Sequence, residues 1–148
     1  MTNLTEILAD STACGLYLLK GALKIPDLER IAKQHGMAFF TLHGTQTGNK
    51  EEFLAHASAV LGFPDYFGMN WDAFADCLTD LSWMEANRIL VLYADSQVFA
   101  ERSPLYFKTA LEIFRESSEF WRQEKRGFLV LLHSTTDLHV HLPTVNLE

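Results

Sequence analysis

Two uninterrupted apolar runs, residues 89–93 (ILVLY) and 128–132 (FLVLL), constrain the fold of this chain more than any other feature. Strands without polar alternation are buried on both faces, which is typical of parallel sheets covered by helices. Residues 38–43 (AFFTLH) form a third segment of strand-like composition. Helix-like segments separate the three, so the chain is predicted to be an α/β three-layer sandwich with a small parallel sheet containing them.

Helix signals lie between the predicted strands. Asn49 and Asn70 are preferred N-cap residues, and Glu52 follows Asn49 at close to capping-box spacing. The first helix should end at Gly62, and the second should run to about residue 81. Its inward face is predicted to carry Phe74, Cys77, Leu78 and Leu81. A longer helix is expected over residues 104–125. The apolar positions of that helix include Leu111, Phe114 and Phe120.

The two ends of the chain are less regular. Residues 1–37 are predicted to be an N-terminal extension with a short strand and a helix, in which residues 1–13 are irregular. This extension would either add to one edge of the sheet or mediate self-association. Residues 38–148 would form the main domain, and the two parts together one globular unit. The alternating segment 138–142 (LHVHL) is predicted to add an edge strand.

Length and cysteine content indicate a cytoplasmic protein. The chain has 148 residues, 48% of them hydrophobic, which suits a single domain with a core of its own. Cys14 and Cys77 form no CxxC motif and have no histidine at zinc-ligand spacing, so free thiols in a reducing compartment are expected. The N-terminus lacks a basic signal-peptide region, and no apolar run reaches the roughly 20 residues that span a membrane.

Acidic residues are concentrated in residues 51–87, called here the acidic segment. The net charge of the chain is −7, and this segment contains no Lys or Arg. Its acids equal the whole net charge: Glu51, Glu52, Asp65, Asp72, Asp76, Asp80 and Glu85. Direct nucleic-acid binding is not expected, because it requires Lys and Arg to displace counterions. The expected partner is a basic protein.

The second predicted helix has an anionic front. At 100° per residue Asp72, Asp76 and Thr79 share one stripe, and Asp80 lies beside it. Carboxylates at i, i+4 without a neighbouring cation cost a few tenths of a kcal/mol. The preceding loop contains Tyr66 and Phe67, and aromatic residues beside carboxylates are typical of protein interfaces. Spacing alone favours the plainer alternative, a solvated helix face with the aromatic residues in the core.

The run LGFPDYFGMNWDAFADCLTDL, residues 61–81, resembles the barstar family of ribonuclease inhibitors. In that family a Pro-acid-Tyr-aromatic-Gly loop leads into a helix reading Asn-x-Asp-Ala-x-x-Asp-Cys-Leu-Thr. Weaker similarity extends from Ala38 onward and includes residues 40–44 (FTLHG), 113–117 (IFRES) and 128–134 (FLVLLHS). The resemblance implies a barstar-like fold and does not include residues 1–37.

The resemblance also implies a function and a site. Such inhibitors block the active site of a small secreted, barnase-like ribonuclease, and their helix carboxylates stand in for RNA phosphates. Asp76 would enter the phosphate pocket, with Asp72 beside it and Asp80 adding charge. The other contacts would come from Tyr66 and Phe67 at the rim, Asn70 and Thr79 through hydrogen bonds, and Glu116 as a second anionic group. No cofactor or metal is implied.

Four positions depart from the best-known inhibitor of the family. It has Trp, Gly, Trp and Glu where this chain has Ala75, Asp80, Leu81 and Phe120. The resemblance therefore leaves open a different partner. The alternative function is a barstar-fold regulatory module that binds another basic protein through the same face.

An enzyme is the rival class and is not expected. The pair Asp72 and Asp76 could form an acid/base or metal site, but the second helix contains no His, which such carboxylate sites usually include. Cys77 is predicted to face inward as a small buried hydrophobe rather than to act as a nucleophile. The sequence also contains no Gly-rich phosphate loop and no GxSxG motif.

Overall fold

The computed structural model describes residues 2–65 and 68–147 of the chain. The strands there are β1 Thr2–Asn3, β2 Cys14–Lys20, β3 Ala38–His43, β4 Arg88–Ala94, β5 Gly127–Leu132 and β6 Thr144–Asn146. The helices are α1 Leu4–Ala9, α2 Ile25–Gln34, α3 Lys50–Leu61, α4 Trp71–Leu78, α5 Gln97–Arg102 and α6 Pro104–Gln123, with a short 3-10 helix at Gly44–Gln46.

All six strands belong to one sheet, in the order β1-β6-β2-β5-β4-β3, and each neighbouring pair is parallel. The strand β4 lies between β3 and β5, with Val91 opposite Phe40 on one side and Val130 on the other. Its residues 89–94 are buried. The predicted parallel sheet containing the three apolar segments is therefore confirmed.

Helices cover both faces of the sheet. Side chains alternate along β4, because successive residues of a strand point to opposite faces. Ile89, Val91 and Tyr93 belong to the core that α3, α4 and α6 cover. Leu90 and Leu92 belong to a second core, which α1 and α2 cover. This arrangement is the predicted three-layer α/β sandwich.

The prediction that residues 1–13 are irregular is wrong. They contain β1 and α1, and Leu4, Ile7 and Leu8 of α1 are buried in the second core. A six-residue helix is too short to be stable alone, so its formation depends on tertiary packing that local sequence patterns do not report. The strand β2 pairs with β5 and β6, so the first 37 residues extend the sheet on the β5 side.

The edge strand predicted at residues 138–142 is also wrong. That segment is not a strand, and its alternating apolar residues Leu138, Val140 and Leu142 pack against the core on the α6 side. The strand that follows is β6, only three residues long, and it lies inside the sheet between β1 and β2. Alternation identified a half-buried segment but could not distinguish a strand from a packed loop.

Candidate functional site

The acidic segment contains all of α3 but its first residue, all of α4 and the turn that leads into β4. The two cations that border it are occupied elsewhere. The ammonium of Lys50 lies over the ring of Tyr106, 5.6 Å from its centroid. The guanidinium of Arg88 donates to the backbone carbonyls of Leu8 and His35, both at 2.7 Å. Among the described residues, neither bordering cation therefore forms an ion pair with Asp72 or Asp76.

Asn70 fixes the start of α4. Its Oδ1 accepts the backbone N–H of Ala73 at 2.8 Å, which is the predicted N-cap. Its Nδ2 donates to the carbonyl of Gly68 at 3.3 Å. Both ends of the Asn70 side chain thus hold the loop-to-helix junction, and this residue positions the carboxylates that follow.

The back of α4 packs into the core and against α6. Phe74, Cys77 and Leu78 are buried, as the sequence predicts. The rings of Phe74 and Phe114 meet edge to face with centroids 5.6 Å apart. One turn later the indole Nε1 of Trp121 donates to the carbonyl of Leu78 at 2.7 Å. These two contacts make α4 and α6 run side by side in the same direction.

The front of α4 is anionic and solvent-exposed. Asp72 and Asp76 are exposed one turn apart, and within residues 2–65 and 68–147 neither carboxylate has a hydrogen-bond or ion-pair partner. Thr79 is half-buried, and its hydroxyl donates to the carbonyl of Ala75 at 3.0 Å. The helix ends at Leu78, three residues before the predicted end, so the exposed Asp80 follows the helix rather than belonging to it.

Glu116 lies on the neighbouring helix α6 and is also exposed. It follows Phe114 by two residues and precedes Trp121 by five, so it is level with the C-terminal half of α4. The four acidic candidates, Asp72, Asp76, Asp80 and Glu116, are therefore presented by two adjacent helices or their ends, and Glu112 lies one turn before Glu116. Glu112 itself is 4.0 Å from Arg115.

Two candidate residues, Tyr66 and Phe67, lie outside the described residues. The loop that leads to them is fixed at its start by Phe63, whose ring lies 6.0 Å from that of Phe74 and 5.9 Å from that of Trp83. Trp83 in turn donates through Nε1 to the carbonyl of Leu61 at 3.0 Å.

Of the three apolar positions expected on α6, Leu111 and Phe114 are buried, whereas Phe120 is 41% exposed. At 100° per residue Phe120 lies about 120° from Phe114, off the face of α6 that packs on the core. Sequence reasoning also missed the exposure of Leu105 and Tyr106 at the start of α6. The sequence does indicate that Tyr106, Ile113 and Phe120 share one face of the helix, because they are spaced at seven-residue intervals.

Cys77, possible metal ligands and a groove bear on the enzyme alternative. Cys77 is a buried free thiol, and burial, followed by Asp80 and Asp76, raises its pKa, which opposes thiolate formation. Among residues 2–65 and 68–147, no group of three or more His, Cys, Asp or Glu residues could hold a metal ion. A groove of about 600 Å³ lies between α6 and residues 138–142, and its lining includes none of the α4 acids.

No helix within the described part of the chain combines the length and the apolar character needed to cross a bilayer.

Comparison with known proteins identifies a family and a related fold. Residues 37–133 match the model of a family described as Barstar (barnase inhibitor). A comparison with curated proteins found no match. Among solved structures, the Aeropyrum pernix ORC2 protein, in ADPNP-ADP complexes, is similar with a TM-score of 0.55 and 12% identity. The similarity covers 91% of this chain but 38% of that protein, and at this identity it shows a shared fold alone.

Proposed function

Because the chain belongs to the barstar family, we propose that it inhibits a small, basic, secreted ribonuclease by covering the active site with α4 and the loop before it. In this proposal the helix carboxylates occupy the positions of RNA phosphates and meet the Arg, Lys and His side chains of the enzyme. The inhibitor acts in the cytoplasm of the cell that makes the nuclease, where it protects the cell's own RNA. It carries out no reaction and needs no cofactor.

The observation that carries the proposal is the state of Asp72 and Asp76. Both are exposed on one rigid helix, and neither carboxylate has a partner among the described residues. Like charges at i, i+4 cost the free protein a few tenths of a kcal/mol. A cationic active site removes this repulsion and forms charge-assisted hydrogen bonds, which are the stronger kind. The pair is therefore suited to a partner rather than to the free fold.

The proposed roles of the remaining residues differ in kind. Asp76 makes the central contact, Asp72 flanks it, and Asp80 and Glu116 extend the anionic surface. Asn70 and Thr79 act mainly by holding the backbone of α4, because their side chains already bond to neighbouring backbone groups. Contacts of Tyr66 and Phe67 with the rim of the nuclease remain part of the proposal, as these two residues lie outside the described residues.

A second candidate function is a regulatory module that binds a different basic protein. The observation that favours it is the composition of the surface beside the acids. Phe120 is 41% exposed, and Ala75 is half-buried on the front of α4. A surface with a large apolar group beside the charges suits a different partner from one with charges alone.

Affinity capture from the source cell distinguishes the possibilities. The immobilised wild-type chain, the Asp76→Ala variant and the Glu51→Ala variant serve as baits, and retained proteins are identified by mass spectrometry. The proposal expects a small basic ribonuclease on the wild-type and Glu51→Ala baits and much less on Asp76→Ala. Adding the wild-type chain to the purified nuclease should then abolish RNA hydrolysis at an equimolar ratio. A retained basic protein without ribonuclease activity would instead support the regulatory module.

A further inference from the structure

In the described part of the chain, the exposed large hydrophobic residues lie next to α4 or on α6, the helix that packs beside it. Within residues 2–65 and 68–147 they are Met69 at 45%, Leu105 at 79%, Tyr106 at 46% and Phe120 at 41%. Met69 immediately precedes the cap of α4, and the other three belong to α6, which packs beside it. Exposed apolar residues scattered over a surface need no explanation, but a group on one side of the molecule indicates an interaction site.

Three of these residues form a ridge along one face of α6. At 100° per residue Leu105, Tyr106 and Phe120 lie within a sector of about 100°, with the half-buried Ile113 between them. These four residues are called here the apolar ridge. At 1.5 Å per residue, Tyr106 and Phe120 are about 21 Å apart along the helix axis. That length is comparable to one dimension of a protein-protein interface rather than to a single side-chain pocket.

The aromatic rings of the ridge are held in place before any partner binds. Tyr106 lies 6.2 Å from Trp71 of α4, measured between ring centroids, and Lys50 sits over its ring. Phe120 packs edge to face on the buried Trp121 at 4.9 Å. Side chains that are already ordered lose little conformational entropy on binding, which increases their contribution to affinity.

Charge identifies the occupant of the ridge. The ridge is continuous with the anionic front, because Glu116 lies on α6 between Ile113 and Phe120, and α4 with Asp72 and Asp76 lies alongside. A second copy of this chain would bring like charges together over the same area, which opposes association. A cationic protein would neutralise them.

We infer that the partner's basic site is bordered by an apolar patch, and that this patch packs along the ridge of α6. The inference rests on the proposal that α4 docks on a basic protein, and it adds the chemistry of the adjoining surface. The two parts of the interface then have different kinetic roles. The carboxylates raise the association rate by steering, and the apolar contact of the ridge slows dissociation.

The test uses the basic protein retained by the wild-type bait, purified and identified, with association and dissociation rates measured at low and high salt. Phe120→Ala and Leu105→Ala should each speed dissociation, by about tenfold for Phe120, while leaving the association rate nearly unchanged. The increase should persist at high salt, because an apolar contact is not screened. Gln34→Ala, an exposed neutral residue of α2 beneath the opposite face of the sheet, should change neither rate.

Thermal unfolding of each variant separates a lost contact from a lost fold. Leu105 is the most exposed residue of the ridge, so its variant should unfold at the wild-type temperature. Wild-type dissociation rates for both ridge variants, with Asp76→Ala weakened, would overturn the inference and leave the proposed function standing. A retained partner without ribonuclease activity would overturn the ribonuclease proposal alone. A chain that forms dimers broken by Phe120→Ala, or one that retains no basic protein, would contradict the inference.

Discussion

Asp72 and Phe120 show how far a helical wheel can be trusted for a single residue. The wheel predicts exposure for Asp72 because nothing in its spacing links it to the apolar back of α4, and the residue is exposed. Phe120 counts among the apolar positions of α6 by residue type alone, but six residues at 100° place it about 120° from the buried Phe114, and it is 41% exposed. Charge makes burial costly and hence predictable, whereas an apolar side chain is tolerated in either environment.

His56 makes a contact that no sequence pattern predicts. Its Nε2 accepts the backbone N–H of His43 at 2.8 Å, so the ring must be neutral at that nitrogen. Burial, followed by the charge of His43, lowers the pKa of His56. The sequence shows two histidines thirteen residues apart, and only the packing of α3 on β3 brings them together.

Lowering the pH should therefore weaken the fold through His56. In the unfolded chain His56 takes up a proton below its ordinary pKa of about 6.5, whereas in the folded chain it stays neutral to a lower pH. The contribution of His56 to stability is therefore complete above about pH 6.5 and falls as the pH drops below it. His56→Gln keeps an acceptor without a titrating group. Urea unfolding between about pH 5 and 8 should show a shallower loss at low pH for this variant than for wild type. Identical slopes for the two proteins would assign the loss to other groups.

Helix caps were predictable at the level of the element, because capping is a local property of a few residues. Asn49 accepts the N–H of Glu52 at 2.8 Å and Asn70 that of Ala73 at 2.8 Å, and both helices begin where the sequence indicates. The side chain of Glu52 departs from a full capping box, because it accepts from Gly48 rather than from Asn49.

The N-cap of α4 should contribute measurably to the stability of the fold. Asn70→Ala should lower the free energy of unfolding by about 1 kcal/mol, since the N–H of Ala73 loses its acceptor. Asn70→Asp retains the acceptor and should stay close to wild type. Urea unfolding of both variants measures the difference. Equal stability of Asn70→Ala and wild type would show that the cap contributes nothing.

Short elements escaped prediction because their stability comes from distant residues. Arg88 at the start of β4 illustrates the cause. Its guanidinium donates to the carbonyls of Leu8, Asp10 and His35, and so ties the ends of α1 and α2 to the central sheet. No pattern in the first thirteen residues indicates that a guanidinium some eighty positions later in the chain donates to their carbonyls.

Removing the Arg88 guanidinium should loosen the N-terminal elements. Arg88→Ala leaves the three carbonyls without their charged donor, and we expect a loss of about 1.5–3 kcal/mol of stability. Hydrogen exchange should increase first in α1. Arg30→Ala is the matched control, because Arg30 is exposed and makes only a 3.7 Å surface pair with Asp27, which is worth little. Equal stability of the two variants would contradict this role of Arg88.

For the whole molecule, the class of fold followed from the sequence and the order of the strands did not. Uninterrupted apolar runs indicate a covered parallel sheet whatever the order of its strands. The position of β6 between β1 and β2 depends on pairing the two chain ends, which lie far apart in sequence. The charge asymmetry was also visible from the sequence, since seven acids without a basic residue fall in one continuous segment.

That asymmetry predicts how the molecule meets its partner. A field concentrated on one side steers a cationic surface toward α4, so association should be fast and should slow as salt is added. At physiological ionic strength the screening length is about 8 Å. Stopped-flow association with the captured basic partner, from low to high salt, measures the effect. A rate that does not change with salt would show that these charges do not guide binding.

The central proposal is tested most directly by the dissociation rate of Asp76→Ala from the captured partner, measured beside Glu51→Ala. Both variants lose one exposed acid of the same segment, one from α4 and one from α3. Asp76→Ala should fold as well as wild type, because the repulsion by Asp72 is relieved, and should weaken the complex by about 2–5 kcal/mol, mainly through faster dissociation. Glu51→Ala should dissociate at the wild-type rate. If Asp76→Ala instead dissociates like Glu51→Ala, α4 does not occupy the partner's active site.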